Sequence, residues 1–168
     1  MIVGIAGLKR SGKDSLAGLL SSALDVEVHS FAAPIRQFVA SLLGWTLDEL
    51  EDRKEWPVPW LDGATARQMM QTLGTEWGRQ MVHPELWLRS LAARMPEGGA
   101  VVCDVRFDNE AEAIRKLGGR VIRLSRPGTG QGDEHASEQP ISDHLVDFEI
   151  ANDGSLQLLL VRALAVLR

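Results

Sequence analysis

Gly7-Leu8-Lys9-Arg10-Ser11-Gly12-Lys13-Asp14-Ser15 is the stretch that decides the fold. Its first seven residues satisfy the phosphate-loop pattern G-x-x-x-x-G-K-[ST]. It follows the apolar run Ile2–Ala6 and opens a helical pattern over 13–24, the strand–loop–helix setting that the motif requires. Glycines let the backbone curl with its N–H groups inward, the helix N-terminus adds partial positive charge, and Lys13 can reach terminal phosphates. Gly7, Lys9, Arg10, Ser11, Gly12, Lys13, Asp14 and Ser15 are therefore the candidate phosphate-binding residues. The eighth position departs from the pattern: Asp14 stands where a Ser or Thr normally ligates magnesium. A carboxylate is a hard ligand, but longer and charged. Three roles stay open for Asp14: a direct Mg²⁺ ligand, a ligand through water, or a helix cap. Ser15 is a candidate partner for a phosphate oxygen.

Outward from this loop, short apolar runs alternate with helical patterns. Strands are expected at Ile2–Ala6, 26–30, Ala100–Val105, Arg120–Ser125 and Phe148–Ala151. Helices are expected over 13–24, 34–43, 46–54, 65–82, 84–95, 108–117 and 155–167. Pro34 and Pro84 suit first helical positions, where a missing N–H loses nothing. Thr46 with Glu49, and Thr65 with Gln68, have capping-box spacing. Strands alternating with helices predict a parallel sheet covered on both faces, an α/β fold in one domain. Residues 55–63 form a proline-broken connection, and 127–140 a polar, glycine-rich loop long enough to act as a lid over about 126–140.

Composition narrows the classes of function. The 168 residues carry 18 basic and 23 acidic side chains, a formal net charge of −5, which argues against a general nucleic-acid binder. A single cysteine, Cys103, excludes an internal disulfide framework and a cysteine zinc cluster. No apolar run reaches the roughly 18 residues needed to span a bilayer, and the N-terminus does not read as a signal peptide.

Three further groups could carry chemistry. The strand Ala100–Val105 brings Asp104 to its end, where an acid in phosphate-loop enzymes sits near Mg²⁺; the plainer alternative is a cap on the next turn. Arg106 follows and is placed to meet phosphate, or to pair with Asp108 or Glu110. In the middle of the chain, Arg67, Gln71, Thr75 and Arg79 lie four apart, along one drifting stripe of a helix, with Gly74 and Gly78 flanking it. Either a bound ligand or a neighbouring backbone would explain glycines there, and a solvated amphipathic helix is the alternative. The loop after Arg126 holds Asp133, Glu134, His135, Ser137 and Glu138 but no further arginine, so positive charge must come mainly from Lys9, Arg10, Lys13, Arg106 and Arg126.

From GLKRSGKDS (7–15), FAAPIR (31–36), RQMMQTLGTEWGR (67–79), VVCDVRFDNEAEAI (101–114), RVIRLSRP (120–127), DEHASE (133–138) and NDGS (152–155), the chain resembles the phage-type deoxynucleoside monophosphate kinases of the P-loop nucleoside-kinase group. That resemblance implies a three-layer fold with a five-stranded parallel sheet and a lid loop. It implies an ATP-dependent phosphotransferase that uses Mg²⁺ and supplies nucleotides for DNA synthesis, in the cytoplasm, of a host if phage-encoded. It implies ATP and a deoxynucleoside monophosphate as partners, with no nucleic acid and no membrane. Lys13, Arg10, Arg106 and Arg126 become the catalytic candidates. Arg36, Arg67, Gln71, Thr75, Glu76 and Arg79, in a helical region over about 34–95, become the acceptor-side candidates. Asp14 and Asp104 become the candidate metal ligands. A homodimer using Trp77 and Met81 stays open. So do two other functions: a kinase like the animal-type phosphomevalonate kinases, which share GKD, and a nucleotide-binding switch or ATPase.

Overall fold

The computed structural model describes residues 1–129 and 140–168. Five parallel strands form one sheet in the order β2-β3-β1-β4-β5. They are β1 (Ile2–Ala6), β2 (Glu27–His29), β3 (Ala100–Val105), β4 (Arg120–Ser125) and β5 (Phe148–Ala151). All five lie where the apolar runs predict them; β2 is shorter than 26–30 and is an edge strand with little burial.

β1 is central because both its faces are apolar. Val3 and Ile5 pack with Leu16 and Leu20 of α1 (Lys13–Leu24) and with Leu159 and Ala163 of α7 (Leu156–Leu167). Gly4 points the other way: a Cβ there would meet Ile114 of α6 (Asp108–Lys116) at 3.3 Å. Successive strand residues face opposite sides, so helices cover both faces. Each core side chain of this size contributes about 1.5–3 kcal/mol by leaving water.

The described chain divides into two compact units. The sheet unit comprises residues 1–30 and 91–168; the other comprises Phe31–Ser90. The second unit holds α2 (Ala33–Leu43), α3 (Leu47–Arg53) and α4 (Ala66–Thr72), around Val39, Ala40, Leu50 and Ala66. Both expected capping boxes form: Glu49 N–H donates to Thr46 Oγ1 at 3.1 Å, and Gln68 N–H to Thr65 Oγ1 at 3.2 Å. α5 (Leu86–Ala92) runs across the division between the units.

Two helix expectations change. The single helix over 65–82 becomes α4 followed by a π-helix, Leu73–Val82, in which His83 N–H reaches back five residues to Gly78 O at 3.0 Å. The helix expected over 84–95 is only Leu86–Ala92, so Pro84 precedes it rather than opening it. The turn before it is closed by Glu85 N–H donating to His83 Nδ1 at 3.0 Å.

Candidate active site

The loop between β1 and α1 is shaped by two close approaches. Gly7 has φ 149°, and a Cβ there would fall 2.5 Å from Leu124 O of β4. Gly12 has φ 97° and is the N-cap of α1, with no side chain to cap the helix. Arg10, with φ 66°, is held in the left-handed region, a strain of order 1–3 kcal/mol that is typical of ligand-binding turns. Lys13 Nζ donates to Gly7 O at 2.7 Å and Leu8 O at 2.9 Å, so the lysine folds over its own loop. The Ser11 hydroxyl is fully buried and has no partner among the described residues. In this conformation Ser11 can offer a ligand its backbone rather than its side chain. Lys9 is half-buried; Asp14 and Ser15, in the first turn of α1, are exposed.

A cavity of about 350 Å³ opens beside this loop. Gly7 and Leu8 line it together with Arg106 from the end of β3 and Arg126 from the end of β4. The ends of β1, β3 and β4 thus converge on one hollow, and both arginines share it with the loop. Both acids weighed as partners of Arg106 accept hydrogen bonds from backbone N–H groups. Glu110, 2% exposed, accepts the backbone N–H groups of Arg106 at 2.7 Å and Phe107 at 3.1 Å. Asp108 accepts Ser142 N–H at 2.8 Å and Ser142 Oγ–H at 2.6 Å. These bonds hold its carboxyl below the usual range.

Asp104 lies half-buried near the end of β3 and accepts Ser30 Oγ–H at 2.7 Å, from the chain just past β2. Ser30 has no motif around it, and only the parallel β2–β3 pairing brings it to Asp104. As donors, Asp14 and Asp104 are both hard carboxylate oxygens, which suits Mg²⁺. Among the described residues no cluster of three or more His, Cys, Asp or Glu side chains is poised for a metal. The far side of the cavity is fixed by Arg123, whose Nη1 donates to Asp143 Oδ1 and Glu149 Oε1, both at 2.7 Å, and whose Nη2 donates to Ile141 O at 2.7 Å. Residues 130–139 lie outside the described part, and with them Asp133, Glu134, His135, Ser137, Glu138 and most of the expected lid.

The acceptor-side candidates fall in the second unit. Arg36 pairs with Glu51 at 3.0 Å, and Arg67 Nε donates to Glu55 Oε1 at 2.6 Å. Arg79 Nη1 lies 3.5 Å from Pro84 O. Arg67 and Gln71 sit on α4, whereas Thr75, Glu76 and Arg79 sit on the π-helix, so the continuous stripe is broken at Leu73. Thr75 is buried, and Gln71, Glu76 and Arg79 are half-buried. The glycines have their own explanation. Trp87 Nε1 donates to Gly74 O at 2.7 Å, and a Cβ on Gly78 would fall 2.6 Å from the indole ring. The close neighbour is a tryptophan side chain, which four-residue spacing does not reveal.

The deoxynucleotide monophosphate kinase family profile matches residues 60–162. A protein of Acanthamoeba polyphaga mimivirus, provisionally carrying that family name, is 33% identical over 94% of this chain and 91% of its own length. The deoxynucleoside-5'-monophosphate kinase of Escherichia phage T5 is 36% identical over 51% of this chain, and the deoxynucleotide monophosphate kinase of Enterobacteria phage T4 is 32% identical over 57%. The matched region spans only 38% and 42% of those two phage enzymes. Among solved structures, a shikimate kinase from Aquifex aeolicus aligns with a TM-score of 0.50 at 13% identity, over 99% of this chain and 96% of its own. A protein of Chloroflexus aurantiacus, provisionally named a kinase, aligns with a TM-score of 0.52, also at 13% identity, over 99% and 98%. Those two likenesses speak to the α/β kinase fold.

Proposed function

The chain belongs to the deoxynucleotide monophosphate kinase family, and from that premise we propose that it transfers the γ-phosphoryl group of ATP to a deoxynucleoside 5'-monophosphate, giving the diphosphate. The observation that carries the reaction class is the cavity that Gly7, Arg106 and Arg126 share. Phosphoryl transfer asks a protein mainly for positioning and charge neutralisation. The acceptor phosphate is already largely ionised at neutral pH, because its second pKa is about 6. No general base is needed, and none has to be found.

Each residue then has a task. The backbone of 7–13 cradles the donor phosphates. Lys13 leaves the Gly7 and Leu8 carbonyls for the transferring group, and Arg10, Arg106 and Arg126 neutralise charge as the bond to the leaving oxygen lengthens. Mg²⁺ bound with the nucleotide would supply charge neutralisation for the phosphates. Asp104, oriented by Ser30, and Asp14 are the residues to hold it, directly or through water. Arg36, Arg67 and Arg79 supply the cations for the acceptor phosphate, with Gln71, Thr75 and Glu76 alongside. Residues 126–140 act as a lid that keeps water from the donor. On this reading the product feeds DNA synthesis in the cytoplasm, that of a host if the chain is phage-encoded, without nucleic acid as a partner. Trp77 and Met81, 44% and 78% exposed, are the residues a homodimer would use.

Release of ADP from ATP, measured with and without a panel of monophosphates, tests the assignment. Turnover that depends on deoxynucleoside monophosphates supports it. Hydrolysis indifferent to any acceptor, or dependence on phosphomevalonate alone, overturns it.

A further inference from the structure

The connection from β5 to α7, Asn152-Asp153-Gly154-Ser155, has no part in the chemistry assigned above. Its first residue reaches the phosphate loop. Asn152 Nδ2 donates to Ser11 O at 2.9 Å, across 141 residues of sequence. The same residue's backbone N–H donates to Ser125 O at 2.7 Å, prolonging the β4–β5 ladder by one bond. The fit with the loop is close: a Cβ on Gly12 would fall 2.5 Å from Asn152 Nδ2. Gly12 therefore leaves the space that the carboxamide fills.

The turn that carries Asn152 is braced on both sides. Arg162 Nη1 on α7 donates to Ala151 O and to Asp153 Oδ1, each at 2.6 Å. Ser155 Oγ caps α7 by accepting Leu158 N–H at 3.2 Å. A carboxamide on such a base can hold a loop in place.

A peptide unit is planar and trans, so its C=O and N–H point in opposite directions. Holding Ser11 O toward Asn152 therefore fixes the direction of Gly12 N–H, away from Asn152. In a phosphate loop, the N–H groups on the concave side are the donors to the anion. We infer that Asn152 is a positioning residue for the nucleotide: its carboxamide locks the Ser11–Gly12 peptide so that the Gly12 amide is set before phosphate arrives. Setting donors in advance avoids reorganising them at the moment of binding. The nucleotide part of this inference rests on the kinase reading above; the loop-locking part does not.

Two variants and two readouts test it. Asn152→Ala removes the donor and the bulk, whereas Asn152→Asp keeps the shape, loses the donor and sets a carboxylate against Ser11 O. Amide hydrogen exchange is followed over 8–13 in nucleotide-free protein, beside steady-state kinetics with each substrate varied. We expect faster exchange over 8–13 in both variants, with β1, β5 and α7 protected as in the wild type. We expect the ATP KM to rise about five- to tenfold in Asn152→Ala, the size of one lost hydrogen bond, and further in Asn152→Asp. The acceptor KM should stay within about twofold of wild type, since the lost bond touches the donor loop alone. Wild-type exchange and wild-type ATP KM in both variants would overturn the inference. So would loss of protection throughout β5 and α7, which would make Asn152 a general structural residue. A wild-type chain without any monophosphate-dependent turnover would overturn the kinase reading. The exchange data would then decide the loop-locking role by themselves, through faster or unchanged exchange at 8–13.

Discussion

Lys13 shows how much of a functional residue is fixed before any ligand binds. Its ammonium is held by two carbonyls of its own loop, Gly7 O and Leu8 O, so loop and cation are a single unit. Removing it should lower turnover about a hundredfold or more, because a charge contact made in the transition state is typically worth a few kcal/mol. Lys13→Ala should keep the wild-type far-ultraviolet circular dichroism; near-normal turnover would take the phosphoryl-transfer role away from this loop. Asp104 offers a subtler test through Ser30, whose Oγ–H it accepts at 2.7 Å. Ser30→Ala leaves both candidate metal ligands in the chain but removes the bond that orients one of them. A magnesium titration of turnover should shift to higher concentration, by roughly threefold to tenfold for a hydrogen bond to a charged group. An unshifted midpoint would make Ser30 a packing residue. Asp108 adds a pH dependence. Its folded pKa lies below the unfolded value because Ser142 donates to it twice. The stabilisation it gives is therefore complete above the unfolded pKa, about 4, and is lost as the pH falls through the folded pKa. The difference in Tm between wild type and Asp108→Asn should be constant near neutrality and close below about pH 4. A gap that persists in acid would refute the assignment of that effect to ionised Asp108.

At the level of elements, the two halves of the chain were not equally legible. The central strands β1 and β3 could be read from apolar runs between glycine-rich or polar punctuation, because a strand covered on both faces must be largely apolar, whereas the edge strand β2, with little burial, gave a fainter run. The loop could be read because its glycines answer to backbone geometry: φ 149° at Gly7 and φ 97° at Gly12. The π-helix Leu73–Val82 could not be read, since apolar spacing does not separate π from α winding and the indole that donates to Gly74 O, on Trp87, lies thirteen residues further along the chain. Wide helical turns of this kind tend to occur at functional sites. Asn152 was equally hidden, because nothing in its neighbourhood of the sequence signals contact with Ser11. The two glycines of the π-helix now make opposite predictions. A Cβ on Gly78 would meet the Trp87 ring at 2.6 Å, and a buried indole that already bonds Gly74 O has nowhere to move. Gly78→Ala should destabilise the protein by about 1–3 kcal/mol, as overpacking does. A Cβ on Gly74 would meet only Ile35 Cδ1, at 3.1 Å. That is the end of a flexible side chain, so the gain of up to about 1 kcal/mol from replacing glycine in a helix should offset the contact. Urea unfolding of both variants decides: equal destabilisation would show that the wide winding itself, rather than Trp87, demands both glycines.

Over the whole molecule, the candidate residues divide by charge and by unit. The cations assigned to the donor (Arg10, Lys13, Arg106 and Arg126) belong to the sheet unit, and those assigned to the acceptor (Arg36, Arg67 and Arg79) belong to residues 31–90. A chain with a net charge of −5 that binds two polyanions must concentrate its cations locally, and two of the acceptor-side arginines carry carboxylates. Arg36 is paired with Glu51 and Arg67 with Glu55. Such pairs keep the guanidinium groups solvated and oriented, and a dianionic phosphate is a better partner for them than a single carboxylate. If Arg67 and Arg79 hold the acceptor, their loss should be felt by one substrate alone. Arg67→Ala and Arg79→Ala should each raise the acceptor KM or lower kcat/KM for the acceptor by about ten- to a hundredfold, the range for hydrogen bonds to charged groups. The KM for ATP should move by less than about twofold, because neither residue belongs to the donor loop. An ordinary surface helix predicts normal kinetics with both substrates. A dimer face built on Trp77 and Met81 predicts a shifted sedimentation profile, with kinetics that follow protein concentration. Steady-state kinetics with each substrate varied separately, run beside sedimentation, distinguish the three. Unchanged acceptor parameters in both arginine variants would remove α4 and the π-helix from the site and leave Arg36 as the remaining acceptor-side arginine to be tested against the monophosphate.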